Sequence, residues 1–116
     1  MEFTECASVN GWTVWTIAGR LDTNAAPDLE ALLAGAVASG NRSLALDFER
    51  VTFLGSAALR VLLLVLKSLR PMGGAVALAR AAPQVRGTLE VSHVLWMFAL
   101  VDQLSELPER LAAPAP

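Results

Sequence analysis

Apolar and polar positions change period along this chain, and each change marks a new element. Phe3 to Val9 and Trp12 to Ala18 are rich in Val, Thr, Trp and Ile and read as two strands. Asn10-Gly11 between them signals a hairpin, because both residues tolerate positive φ. Gly19-Arg20-Leu21-Asp22 then leads into a loop. Beyond it Leu29, Leu32, Leu33, Ala36 and Val37 recur at i, i+3, i+4, i+7 and i+8, the stripe of an amphipathic helix. Pro27 suits the first turn of that helix, Asp28 and Glu30 complement its positive end, and Gly40-Asn41 ends it.

The same alternation continues. Ser43 to Phe48 reads as a strand, Phe53-Leu54-Gly55 as part of a connector, and Ser56 to Arg70 as a second helix. Its inner face is Leu59, Leu62, Leu63, Leu66 and Leu69, which sends Arg60, Leu64 and Lys67 to the opposite side. Pro71-Met72-Gly73-Gly74 breaks the helix, and Ala75 to Ala79 is a further strand. Pro83 opens a third helix carrying Val85, Thr88 and Leu89 inward. Val94 to Val101 divides into a turn and a short strand near Ala99 to Val101. Asp102 is placed to cap a closing helix through about Leu111, and Ala112 to Pro116 reads as a loose tail. The expectation is an α/β domain over residues 1–111 with a disordered tail over 112–116. A partly parallel sheet, right-handed crossovers and helices packed on the sheet follow from the strand–helix alternation.

Composition narrows the function. Apolar residues make up 54% of 116 and charged residues 17%, with twenty Leu and twenty Ala, so the chain can bury a core and is not disordered. The net charge of −2 supplies no basic excess to displace counterions from phosphates, so no direct nucleic-acid contact is expected. Cys6 and His93 are the single cysteine and histidine, which excludes a disulfide framework and a Cys/His zinc site and fits a reducing cytosol. Met1-Glu2-Phe3-Thr4-Glu5 lacks the basic start and apolar stretch of a signal peptide. Val51 to Leu66 is interrupted by Gly55-Ser56 and Arg60 and falls short of a membrane span. A soluble cytoplasmic protein without membrane insertion is expected.

Catalytic signals are weak. The chain has neither a Walker-type phosphate cradle nor a Gly-x-Gly-x-x-Gly after a strand. His93 lies in a turn after the third helix and reads as a solvated or capping residue. Cys6 reads as a small buried hydrophobe within a strand. Asp22 and Asp47 both fall near strand ends, where capping explains them as well as paired-carboxylate chemistry does. No catalytic residue, metal or cofactor is expected, and the chain reads as a non-enzyme.

The informative segment runs from Asp47 to Leu62, where strand, connector and helix follow in order and Ser56 falls at the helix start. Two readings of Ser56 stand side by side. Its hydroxyl can accept a bond from a first-turn N–H, a cap worth about 1 kcal/mol. Equally, a phosphate attached there meets free N–H groups and the positive end of the dipole, while adding charge and bulk that would expel a docked partner. Leu64, an outward leucine between Arg60 and Lys67, hints at a binding face on the same helix.

At these residues the chain resembles the STAS domain, the family of bacterial anti-sigma factor antagonists. The resemblance rests on Gly19-Arg20-Leu21-Asp22, Ala26-Pro27-Asp28-Leu29, Leu46 to Leu54, Ser56-Ala57-Ala58-Leu59-Arg60-Val61-Leu62, Pro83-Gln84-Val85-Arg86 and Phe98 to Leu104, in order and with matching spacing. It implies a mixed sheet with an N-terminal hairpin and about four helices on one side. It also implies a partner-switching regulator that binds a serine-kinase-type anti-sigma factor, is released when that kinase phosphorylates it, and is restored by a phosphatase. The acceptor position corresponds to Ser56, here preceded by Gly55 and followed by Ala57-Ala58 where the family commonly has Asp-Ser-Ser-Gly or Ser-Ser-Ala-Gly. The expected partner face is Asp22, Thr23, Gly55, Ser56, Ala57, Arg60 and Leu64. The alternative is an unswitched STAS adaptor bound to a transport ATPase or another signalling complex.

Overall fold

Asn10 and Gly11 adopt φ of 50° and 86°, the paired positive values that let a two-residue turn follow strand twist. They join β1 (Glu2–Val9) to β2 (Trp12–Leu21) as an antiparallel hairpin. The computed structural model describes residues 1–110 of the chain. After the hairpin come α1 (Ala26–Ala38), β3 (Ser43–Leu54), α2 (Ser56–Leu69), β4 (Ala75–Ala79), α3 (Pro83–Val91) and β5 (Ala99–Val101). The sheet order is β1-β2-β3-β4-β5, with every pair beyond the hairpin parallel. Because the strands add in one direction without reversal, the right-handed rule puts all three crossover helices on the same face. That face carries the main core, with Trp15, Ile17, Leu44, Leu46, Phe48, Val76 and Leu78 from the sheet and Leu29, Leu33, Leu59, Leu62, Leu66, Val85 and Leu89 from the helices.

The opposite face is small and differently covered. Trp12, Val14, Ala45 and Ala77 alternate with the residues of the main core and pack on Leu107, as the two-residue period of a strand requires. Here the closing helix does not form. One 3₁₀ turn, Leu104–Glu106, is followed by an extended strap. Pro108 lacks an N–H and drives Leu107 to ψ 129°, away from helical values. The Trp12 indole N–H donates to the Pro108 carbonyl (2.7 Å), the Asn10 amide to the Leu107 carbonyl (2.8 Å), and the Arg110 N–H to the Asn10 carbonyl (2.7 Å). The α-helices among the described residues therefore number three, not about four. Leu111 and the expected tail over 112–116 lie outside the described residues.

Three local readings also change. β3 continues through Glu49 to Leu54 instead of giving way to a connector. Beyond Asp47, which pairs with the last residue of β4, it lies beside β2 alone, with a register shift between Asp47 and Arg50, and charged Glu49 and Arg50 are exposed. Cys6 is exposed, not buried, because β1 is an edge strand with almost no cover on either side. In α2 the buried face extends beyond the expected leucines to Ala58, Val61 and Val65, while Leu63 is half-buried.

Candidate functional site

The site begins where β2 and β3 end side by side. Leu21 is paired with Leu54, and the Gly55 N–H donates to the Leu21 carbonyl at 2.8 Å. This brings the loop after β2 against the start of α2. Gly19, at φ 103°, takes a conformation that side chains resist, and it sits at a register shift between β2 and β3. Asp22 holds the loop: its Oδ1 accepts from the Asn24 and Ala25 N–H groups at 3.1 Å each, and its carbonyl from the Ala25 and Ala26 N–H groups. Its carboxylate is thus engaged in the entry to α1, and neighbouring Thr23 is exposed.

Gly55 is the N-cap of α2 and Ser56 its first residue. The expected serine cap is absent: no side chain caps this helix, and Ser56 is exposed with a hydroxyl free of protein partners among the described residues. The Leu59 N–H reaches the Gly55 carbonyl at 3.0 Å, leaving the N–H groups of the turn before it without intrahelical acceptors. Ser56 and the positive end of α2 therefore face solvent together.

A groove runs from this point between α1 and α2. Its first part, about 520 Å³, is lined by Thr23, Pro27, Glu30, Ala57, Arg60 and Leu64 among others. A second part, about 360 Å³, continues past Ala34, Val37, Val65 and Ser68 and shares Glu30, Val61 and Leu64. The α2 wall is the stripe 57, 60, 61, 64, 68 and the α1 wall the stripe 27, 30, 31, 34, 38, each at helical spacing. Arg60 and Leu64 are exposed, Leu64 by 53%, so the outward face of α2 is as the leucine spacing requires. Thr23, Ala57, Arg60 and Leu64 line one part of this groove, Ser56 adjoins Ala57, and Gly55 and Asp22 form the hydrogen-bonded junction where β3 and β2 lead into α2 and α1.

Sequence reasoning did not find Glu30, Pro27 or Phe53 here. The Phe53 ring lies beside Gly55, 3.0 Å from where a Cβ would stand, and the Arg20 guanidinium stacks 4.4 Å from the ring centroid. The small Ala31 and Ala34 facing Leu64 were the available signal for the α1 wall.

The remaining candidates are structural. His93 takes φ 59° just past α3, with its N–H on the Glu90 carbonyl and the Val94 N–H on the Leu89 carbonyl, a left-handed helix terminus. Asp47, 3% exposed, is gripped through both oxygens by Arg80, which also reaches Glu49 at 3.2 Å. The hydrogen bonds that the Arg80 guanidinium donates to Asp47 raise it further above its ordinary range, against a smaller opposing effect of burial. Asp22 and Asp47 thus belong to separate networks and form no carboxylate pair. No cluster of potential metal ligands occurs among the described residues, and none of their helices is long and apolar enough to cross a membrane.

A mixed sheet with helices on one face is the architecture of a protein class that comparison with known proteins identifies. The STAS domain profile matches residues 5–107, and the chain belongs to the STAS domain family. A Bordetella bronchiseptica protein, BtrV, named provisionally as an anti-sigma factor antagonist, is 36% identical over 94 residues, 81% of each chain. An anti-sigma factor antagonist from Mycobacterium paratuberculosis superimposes with a TM-score of 0.76 at 26% identity, over 90% of both chains. The anti-sigma factor antagonist SpoIIAA of Bacillus, in its unphosphorylated form, gives 0.72 at 22% identity over 85% of this chain and 87% of its own. The phosphorylated form of SpoIIAA gives 0.66 at 21% identity.

Proposed function

We propose that this protein is a non-catalytic, cytoplasmic partner-switching regulator, an anti-sigma factor antagonist that binds a serine-kinase-type anti-sigma factor and is released when Ser56 is phosphorylated. The observation that carries the reading is the exposed Ser56 hydroxyl, unbonded among the described residues, which opens α2 one residue before Ala57 of the groove lining. Family membership and the names of the relatives support it. The partner face is Asp22, Thr23, Gly55, Ser56, Ala57, Arg60 and Leu64. Asp22 contributes by holding the loop, Thr23, Arg60 and Leu64 by contact.

In the switching step a kinase transfers the γ-phosphoryl group of ATP to the Ser56 oxygen. An O–P bond forms, the bond to ADP breaks, and the hydroxyl proton is released. The helix start tolerates the product, since phosphate suits free N–H groups and a positive dipole end. A phosphatase would return the hydroxyl by hydrolysis.

The test incubates the chain with a serine-kinase-type anti-sigma factor and ATP, and follows intact mass. A gain of one phosphoryl group on wild type, absent in Ser56→Ala, is expected. Ser56→Asp should bind the kinase about tenfold more weakly while melting close to wild type, because a carboxylate also suits a helix start. No modification by that kinase, together with equal affinity of wild type and Ser56→Asp, would overturn the switch. Co-purification with a transport ATPase under those conditions would favour an unswitched adaptor.

A further inference from the structure

Arg60 stands four residues after Ser56 on α2, and both are exposed. Residues at i and i+4 lie on one face of a helix, and an acid placed N-terminal to a base is the favourable order. Among the described residues Arg60 forms no ion pair, although Glu30 lines the same part of the groove. Of the described residues lining that part, Arg60 is also the one cation. The other charged groups at this end are already committed or sit on neighbouring elements. Arg20 is stacked on Phe53, the Asp22 carboxylate binds its own turn, and Asp28 and Glu30 lie along α1.

We propose that phosphorylated Ser56 pairs with Arg60 of its own helix, so that modification also occupies the cation that this groove offers to a partner. The inference rests on the phosphorylation reading above and extends it. Release would then have two causes. The phosphate adds bulk and charge at the docking point, and it engages a guanidinium that otherwise faces the partner. The Ser56 phosphate carries nearly two negative charges and three acceptor oxygens, which a guanidinium fork matches in geometry. The transfer itself is the one written above, with ATP as donor and ADP and a proton released.

The test removes the kinase from the question by installing phosphoserine at position 56 during synthesis of the full chain. The second proton of the phosphate is followed by phosphorus NMR as pH is raised. Arg60 favours the dianion, so the titration midpoint in the otherwise wild-type chain should lie about 0.2–0.4 units below that in Arg60→Gln. Arg60→Lys should recover part of the difference, and high salt should shrink it. Arg20→Gln, the control for the other nearby cation, should leave the Arg60 effect in place. Coincident midpoints in wild type and Arg60→Gln would overturn the pairing while leaving the switch untouched. A lower midpoint in a chain that no kinase modifies would support the pairing while the switch fails. In kinase binding, phosphoserine should weaken wild type by a larger factor than it weakens Arg60→Gln. Equal factors would show that occupying Arg60 has no part in release.

Discussion

The two covered regions of this molecule handle their polar groups in opposite ways. On the small face of the sheet, the strap after β5 is tied down at each step: Asn10, Trp12 and Arg110 bridge it to the hairpin, and the Arg110 side chain reaches Ser43 and the Gly73 carbonyl. Nearby, the buried Asp47 has both oxygens bonded. At the α1–α2 end the backbone is equally well fixed, yet the side chains above it are left open. Among the described residues Ser56 has no partner and Arg60 no counter-ion, and Leu64 is exposed. Satisfied polar groups mark what the fold needs for itself, whereas exposed and unengaged ones in a groove mark what it offers to another molecule. Substitutions in the first region should therefore cost stability, and those in the second should cost binding.

The sharpest way to break that contrast is Trp12→Ala. Trp12 is 1% exposed, packs on Leu107 and donates to the Pro108 carbonyl. Its removal opens a cavity and unpins the strap, with an expected loss of about 3–5 kcal/mol. The urea midpoint should fall accordingly, and a change below about 1 kcal/mol would mean that the strap contributes little to the fold.

Arg80→Ala should come next, at about 1–3 kcal/mol, because it leaves the Asp47 carboxylate buried without its guanidinium. Part of the Arg80 side chain reaches solvent, which keeps the expectation below that for a fully enclosed pair. Arg80→Ala with Asp47→Ala should lose less than the sum of the single changes. The sign of the pH dependence is simple. Arg80, with its proton held more tightly in the fold than in the unfolded chain, contributes stability that is complete below the ordinary arginine range. This contribution fades only as pH rises through the folded value, so Arg80 itself should lend no pH dependence near neutrality.

The sequence disclosed these two regions unequally, for physical reasons. The Asn10-Gly11 turn, the inner leucines of α2 and the outward positions of Arg60 and Leu64 are local properties of period and backbone, and they were legible. The length of β3 was not, because Glu49 and Arg50 look like loop residues unless it is known that β4 stops beside Asp47. Cys6 was misjudged for the same reason, since only sheet order shows that β1 is an edge. Pro108 was visible, but its role in laying the strap across Trp12 depends on a contact 96 positions away in sequence. Ser56 stood out in the sequence as the residue where a helix begins, whereas Glu30 and Pro27 became groove residues only when α1 packed beside α2.

The smallest expected effect on stability belongs to Gly55→Ser, and it sharpens the comparison most. Gly55 has φ −91° and ψ 170°, values that any residue adopts, so no backbone strain opposes a side chain. The new Cβ would meet the Phe53 ring edge at 3.0 Å and the Leu21 carbonyl at 3.4 Å. Phe53 is 39% exposed, and its ring can move aside together with the stacked Arg20. Against that cost, the new hydroxyl can accept from a first-turn N–H and cap α2, a gain of a few tenths of a kcal/mol over glycine. The two should cancel to within about 0.5 kcal/mol, so the melting temperature should hardly change. Phosphorylation of Ser56 should respond more, because the serine cap occupies an N–H that would otherwise serve the phosphate. A fall of about 2 kcal/mol or more would mean that Phe53 is locked in place. The α1–α2 end would then be built as tightly as the strap, and its open side chains could no longer be read as surface held in reserve for a partner.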